Sequence, residues 1–142
     1  SDPGHRSQQP WTGRSGELRT TALLRNQSEL AEAIMGDFTI SEMLAMQRQL
    51  QERYQGKWET ICPEAGKHKL LWMIGEIGEV IDIIKKNGDR QAVEEGNLRK
   101  HLVEEMADVL MYYNDVLLCY GISEEELKEA YTTKFEKNRN RW

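Results

Sequence analysis

Residues 70–81 read LLWMIGEIGEVI, and residues 103–111 read VEEMADVLM. Both stretches are apolar around most of a helical circumference, which predicts two largely buried helices. Each stretch nevertheless carries two acidic residues three positions apart, Glu76 with Glu79 and Glu105 with Asp108. Residues at this spacing lie on the same face of a helix. The fold therefore has to accommodate four carboxylates within its most apolar helices.

Carboxylates in such helices must be neutralised by protons, by cations of the chain or by a metal ion. Four carboxylates from two helices can form an oxygen-rich site of the kind that Mg²⁺ prefers. Gly75 and Gly78 flank Glu76 and leave room for a closely packed helix, a ligand or metal-bound water. The sequence thus predicts a metal site for Mg²⁺, with Mn²⁺ as a substitute.

The rest of the chain predicts further helices. Residues 39–42 and 123–126 are capping boxes, which mark the starts of helices. We expect four helices, at about 39–54, 68–86, 97–120 and 124–138, with a loop at about 55–67 and a polar connection at about 89–96. No strand-like alternation interrupts this pattern. The expected fold is all-α, a four-helix bundle.

Two regions of the chain differ in composition. Residues 1–37 open with a segment rich in Gly, Pro and Ser that has no hydrophobic period. We expect a flexible tail there, partly of expression-vector origin. Residues 38–142 are expected to form one helical domain, large enough for its own core.

Charge and hydropathy argue against several classes of protein. The 19 basic and 24 acidic residues give a net charge of −5, whereas a protein that binds a DNA or RNA polymer normally carries a basic footprint. No stretch approaches the roughly 18 apolar residues of a membrane span, and no apolar segment resembles a signal peptide. Cys62 and Cys119 are too few for a disulfide framework. We expect a cytoplasmic protein without membrane or nucleic-acid-polymer partners.

Polar residues near the C-terminus offer the opposite charge to the acidic pairs. Lys134, Asn138 and Arg141 lie four and three residues apart, hence on one helical face, and Trp142 follows. Cations and amides bind phosphate oxygens, and arginine does so with two parallel hydrogen bonds. Tyr112 lies one turn after the second acidic pair, where its ring can stack on or hydrogen-bond a ligand. Together these features predict a polyphosphate ligand carried by Mg²⁺.

In this order, the motifs resemble those of a known family. Two acidic pairs followed by Lys134-x-x-x-Asn138-x-x-Arg141-Trp142 resemble the MazG-like, all-α nucleoside triphosphate pyrophosphohydrolases, near their deoxycytidine triphosphatase relatives. The resemblance covers about residues 39–142. It implies Mg²⁺-dependent cleavage of a nucleoside or deoxynucleoside triphosphate to the monophosphate and pyrophosphate. House-cleaning of the nucleotide pool would be a fitting role.

The resemblance also implies a role for each matching residue. The metal ligands would be Glu76, Glu79, Glu105 and Asp108. The contacts to the nucleotide would come from Lys134, Asn138, Arg141 and Tyr112. Either of the first two glutamates would accept the proton of the attacking water. The segment ahead of the second helix matches the family poorly, so three side chains are alternative candidates for stacking on the base: Trp58, His68 and Trp72.

Two other functions stay open. A redox-active di-iron or di-manganese carboxylate bundle uses Glu-x-x-His, but Glu79 and Asp108 occupy the positions where that site needs histidine. A non-catalytic helical module that binds nucleotides or proteins would keep the fold without turnover.

The expected second and third helices carry more apolar surface than the first and fourth can cover. We therefore expect a homodimer or homotetramer, in which a symmetric interface buries the surplus face.

Overall fold

The structure, a computed structural model, describes residues 36–141 and is all-α. The predicted tail lies outside the described residues except for Gly36 and Asp37, which are exposed, and so does Trp142. Within the described part, five α-helices follow one another: α1 (Ile40–Arg53), α2 (Gly66–Asn87), α3 (Asp89–Val93), α4 (Asn97–Cys119) and α5 (Glu124–Arg139). A 3-10 turn, Pro63–Ala65, precedes α2. The predicted all-α fold is confirmed, with one short helix added in the connection between α2 and α4.

The two predicted capping boxes set the starts of α1 and α5. The backbone N–H of Glu42 donates to Thr39 Oγ1 at 3.2 Å, and the N–H of Thr39 donates to Glu42 Oε2 at 2.8 Å. Ser123 and Glu126 exchange the same two bonds at 3.2 and 2.9 Å. Each pair satisfies backbone donors that a helix start leaves without partners.

Helix α2 begins two residues earlier than predicted. Residues 63–65 already turn as a 3-10 helix, and Gly66 continues them into the α-helix. The ring of Tyr120, just after α4, lies directly against Gly66, where a Cβ atom would overlap it. This close approach fixes the end of α4 beside the start of α2.

The buried core lies where α1, the end of α4 and the start of α5 meet. Leu44, Leu117 and Leu118 form its centre, and four partly buried residues pack around them: Ile40, Ile61, Ile122 and Leu127. Helix α5 joins the core only at this end, since none of its residues is buried. The core is small, which leaves long stretches of the helices at the surface.

Helices α2 and α4 form the closest helix pair of the fold and run antiparallel. Near one end of the pair, Lys69 of α2 lies beside Asp115 of α4. Two turns further along, Glu76 of α2 lies beside Asp108 of α4. The polar residues of the two helices therefore face each other, level by level.

The outer faces of the same two helices are apolar and exposed. Leu71 and Ile74 are 65 % and 61 % exposed, and Ile81 continues their stripe along α2. On α4 the corresponding stripe comprises Val103, Met106 and Leu110. We call these two stripes together the outer face. Along each helix, the residues of the outer face lie two positions from the polar residues that face the other helix. This spacing corresponds to a rotation of about 200° around the helix axis.

The predicted burial of α2 and α4 is therefore wrong for the single chain. Only Gly66, Lys69 and Ile83 of α2 are buried. Gly75 and Gly78 do not serve close packing within the chain, because a Cβ atom on either would meet nothing within 4 Å. The apolar surplus is real, but residues 36–141 of one copy do not cover it.

None of the helices between residues 36 and 141 combines the length and the apolar character needed to cross a membrane.

Candidate active site

Three of the four predicted metal ligands come together between α2 and α4. Glu76, Glu105 and Asp108 each offer a carboxylate oxygen, and these oxygens lie within 4.8 Å of one another. The three residues form what we call the acidic cluster. Glu79 is exposed and lies outside this set, although its charge acts on both Glu76 and Asp108.

The acidic cluster brings its carboxylates together although burial and mutual repulsion disfavour their charged forms. Burial raises the pKa of Glu76 from 4.5 to about 7, together with a hydrogen bond that its protonated carboxyl donates to Glu105 and the negative charges of Glu79 and Asp108. Burial also raises the pKa of Asp108, and the charges of Glu104 and Glu79 add to the effect. Without a cation, the cluster retains a proton near neutral pH.

The donor set of the cluster fits a hard divalent cation. Glu76 Oε2 and Glu105 Oε2 are buried, and neither accepts a hydrogen bond from the described part of the chain. Buried carboxylate oxygens normally have a partner, and a cation that prefers oxygen ligands would supply one. The other oxygen of Glu105 is 3.2 Å from His101 Nε2, one helical turn earlier. His101 thereby orients the carboxylate, a contact that its i, i+4 spacing from Glu105 signals in the sequence.

The acidic cluster opens into a cavity of about 190 Å³. Helix α2 contributes Lys69, Trp72 and Glu76 to its wall, and α4 contributes Asp108, Met111, Tyr112 and Asp115. Helix α1 adds Gln47 and Leu50, and the loop after α1 adds Trp58. The structure thus brings Trp58, Trp72 and Tyr112, the three aromatic residues singled out in the sequence, to one cavity with Glu76 and Asp108.

The loop that carries Trp58 is held at two points. The rings of Tyr54 and Trp58 stack with centroids 4.6 Å apart. His68 Nδ1 lies 2.7 Å from Glu59 Oε1, which ties the loop to the first turn of α2. His68, a candidate for base stacking, is exposed and does not line the cavity. Its observed contact is with the loop.

One comparison with known proteins decides the family. The family model described as the MazG nucleotide pyrophosphohydrolase domain matches residues 64–141. That segment is more than half of the chain, and it contains both acidic pairs and the basic residues near the C-terminus. The chain belongs to the MazG family. Comparison with curated proteins and with solved structures found no significant match. The resemblance seen in the sequence motifs is confirmed, and residues 64–141 are an all-α MazG domain.

The conspicuous basic motif of this MazG domain stands apart from the cavity. Lys134 and Asn138 lie exposed on α5, and Arg141 lies exposed just beyond it. None of the three lines the cavity that contains Glu76 and Asp108. Within one chain, the structure does not bring the cationic and the acidic parts of the predicted site together.

Two polar residues of the MazG cavity were not predicted from the sequence. Gln47 and Lys69 are buried, with 4 % and 6 % of their surface exposed, as is Asp115 with 2 %. Lys69 Nζ lies 3.7 Å from Asp115 Oδ2, and Gln51 Nε2 donates to Asp115 Oδ1 at 3.1 Å. Burial raises the pKa of Asp115, and Lys69, Gln47 and Gln51 oppose that rise. In the sequence, Asp115 follows Asp108 by seven residues and so continues the face of α4 that carries the acidic pair. Lys69 precedes Glu76 by the same spacing, which is a weaker signal because Lys69 is not acidic.

Proposed function

We propose that this MazG domain is a divalent-metal-dependent nucleoside triphosphate pyrophosphohydrolase. It would cleave between the α- and β-phosphates and release a nucleoside or deoxynucleoside monophosphate and pyrophosphate. The cavity carries this proposal, because carboxylate oxygens that have no hydrogen-bond partner among residues 36–141 lie at one end and aromatic rings lie next to them. House-cleaning of the cytoplasmic nucleotide pool is the role that we assign to the activity.

The acidic residues would hold the cation, with Mg²⁺ as the expected ion and Mn²⁺ as a substitute. Glu76, Glu105 and Asp108 supply the ligand oxygens that lie close together. When bound, the cation offsets the charge of the phosphates and makes a nearby water more acidic. Glu76 and Glu79 are the two candidates for accepting the proton of that water. We favour Glu79, because the clustered ligand atoms come from the other three acids.

The aromatic residues would bind the nucleoside. Rings present flat apolar surfaces on which a base can stack. Trp72 and Tyr112 lie on facing helices one turn from the acids, and Trp58 closes the cavity from the loop. In this arrangement the phosphates lie at the acidic cluster and the base lies among the rings.

Lys134, Asn138 and Arg141 would contact the phosphates. Since these residues do not line the cavity of their own chain, the contact depends on assembly or on movement of α5 when the substrate binds. Assembly is part of the proposal, because the exposed outer face favours a homodimer or homotetramer.

A phosphate-release screen tests the activity. The protein is incubated with Mg²⁺ and each canonical or modified nucleoside triphosphate, with and without inorganic pyrophosphatase. We expect phosphate only when pyrophosphatase is present, because the direct product is pyrophosphate. Phosphate without pyrophosphatase would instead indicate cleavage at the γ-phosphate. Nucleotide binding without any turnover would favour the non-catalytic module.

A further inference from the structure

The end of the cavity that lies away from the acidic cluster is polar and almost completely buried. Gln47, Lys69 and Asp115 line it, from three different helices. We call these three residues the inner polar group. A buried ion pair such as that of Lys69 with Asp115 adds little net stability compared with apolar residues of similar size. Its presence on the wall of the cavity that also holds Glu76 and Asp108 therefore points to a functional role.

The residue pairs that face each other across α2 and α4 give the distance between the two ends of the cavity. Lys69 precedes Glu76 by seven residues, and Asp115 follows Asp108 by seven, so each step is two turns, or about 10 Å along a helix. Trp72 and Tyr112 lie between those levels, and both line the cavity. From one end of the cavity to the other, the lining thus changes from the carboxylates of the acidic cluster to aromatic rings, and then to the inner polar group. In an extended nucleotide, the base is the part farthest from the phosphates.

The hydrogen-bonding capacity of the inner polar group indicates what it binds. Asp115 accepts hydrogen bonds from Gln51 and Gln47 and lies beside Lys69, so its carboxylate is already engaged within the protein. The Lys69 ammonium carries three donors and no acceptor, and the Gln47 amide can donate and accept. The matching ligand group is a carbonyl oxygen or an unprotonated ring nitrogen, as on the polar edge of a nucleobase.

We infer that the inner polar group reads the polar edge of the substrate's base, with Lys69 and Gln47 as contacts and Asp115 as the residue that positions Lys69. This inference rests on the proposed function and deepens it. Bases that bring no acceptor leave an N–H group of the Lys69 ammonium unpaired on the side away from Asp115, which costs binding energy. The inner polar group would therefore determine which bases this MazG domain accepts. The acidic cluster would bind the triphosphate part with the same affinity whatever the base.

The test compares nucleoside triphosphates that differ only in the base with inorganic triphosphate, which has none. The variants are Lys69→Met and Gln47→Leu, and Lys67→Met is the matched control, since Lys67 is exposed on the same helix. The double variant Lys69→Met with Asp115→Leu removes the ion pair as a unit and guards against loss of folding. Turnover is measured with Mg²⁺, and binding by calorimetry with Ca²⁺.

We expect kcat/KM for the preferred base to fall roughly tenfold or more in the Lys69 and Gln47 variants, as loss of a hydrogen bond to a charged or buried group predicts. The ratio between the best and the worst base should shrink by a similar factor. Affinity for inorganic triphosphate should stay within about twofold of the wild type, and Lys67→Met should change nothing.

Two results with the variants would overturn the inference. One is an equal loss for every nucleotide and for inorganic triphosphate, which would mark the inner polar group as structural. The other is an unchanged preference among bases in variants that fold. If the wild type hydrolyses no nucleotide, the proposed activity fails, but calorimetry still decides on the base site. A wild type that binds nucleotides no better than inorganic triphosphate has no such site.

Discussion

At the residue scale, the acidic cluster combines three carboxylates that repel each other. Asp108 is one of them, and its pKa is raised by burial and by the charges of Glu104 and Glu79. We predict that Asp108→Asn abolishes Mg²⁺-dependent turnover but leaves the helical fold intact. The metal-free variant should melt at the same temperature as the wild type or higher, because one source of repulsion is gone. Pyrophosphate release and thermal melting followed by circular dichroism measure the two effects. Glu79→Gln should behave in the same way.

Asp89→Asn provides the control for Asp108→Asn. Asp89 is exposed at the start of α3 and makes no part of the cavity wall. This variant should keep wild-type turnover. Full activity in Asp108→Asn would remove Asp108 from the metal site.

The shifted pKa of Glu76 predicts a pH dependence of stability. Its carboxyl holds a proton more tightly in the folded protein, with a pKa of about 7 against 4.5 for the unfolded chain. It therefore stabilises the metal-free fold fully below about pH 4.5, and this contribution is lost as the pH rises to about 7. Glu76→Gln stays uncharged at every pH. In urea unfolding with a chelator, the free energy of unfolding of the variant should increase relative to that of the wild type as the pH rises from about 5 to about 8.

A difference in unfolding free energy that does not change with pH would contradict this assignment. Saturating Mg²⁺ should reverse the ranking at about pH 8, since only the wild type then has its full set of ligands.

At the element scale, α5 is attached to the domain at one end and exposed along the rest. Its basic motif does not line the cavity of its own chain, so its contact with the substrate requires assembly or movement of α5. We predict that deletion of Arg141 and Trp142 raises KM or lowers kcat/KM by roughly tenfold to a hundredfold. That range corresponds to loss of a charged hydrogen bond worth ~1.5–3 kcal/mol. Binding of Mg²⁺ to the acids should persist.

Arg139 supplies the control for this deletion. It lies on α5 next to the motif but pairs with Glu136 at 3.0 Å, and its position falls off the face that Lys134 and Asn138 share. Arg139→Met should leave the kinetics unchanged. If the deletion does the same, the C-terminal residues are a solvated helix end without a part in catalysis.

The elements themselves were largely predictable because their signals are local. The capping boxes at Thr39 and Ser123 indicated the starts of α1 and α5, and Gly88 and Gly121, both with positive φ, follow the ends of α2 and α4. The acidic pairs at three-residue spacing pointed to one site, and three of the four side chains do meet. Helix periodicity was enough for these inferences.

The remaining features depend on contacts between distant parts of the chain. Gln47 reaches the cavity only because α1 packs across α4, and no local pattern distinguishes it from a solvated glutamine. Lys69 resembles an ordinary helix lysine until Asp115 is placed beside it. The exposure of α2 and α4 was not predicted for a related reason, since an apolar helix predicts burial but does not say which molecule covers it.

At the scale of the whole molecule, the outer face is an apolar surface that the described part of one chain leaves uncovered. Leu71, Ile74 and Ile81 on α2 run beside Val103 and Met106 on α4. We predict that the wild type has a mass two or four times the 16.5 kDa of one chain in light scattering at micromolar concentration. Ile74→Glu should shift it towards the monomer, because a charge buried in an apolar interface is costly.

Val93→Glu is the matched substitution outside the outer face. Val93 is 71 % exposed at the end of α3, and a glutamate there should leave the assembly intact. A wild-type protein that is monomeric at these concentrations would refute the proposed assembly.

The antiparallel pairing of α2 with α4, in which Lys69 faces Asp115 and Glu76 faces Asp108, also determines where the chain tolerates insertions. Extra residues between Glu94 and Gly96 lengthen an exposed connection, and the entropic cost of closing a loop grows slowly with its length. One extra residue between Lys69 and Glu76 would instead rotate every later side chain of α2 by about 100°. The carboxylates would then leave the side of the helix that holds Lys69 and Trp72. Natural variation in chain length is therefore expected in the connection, while the seven-residue spacing within each helix stays constant.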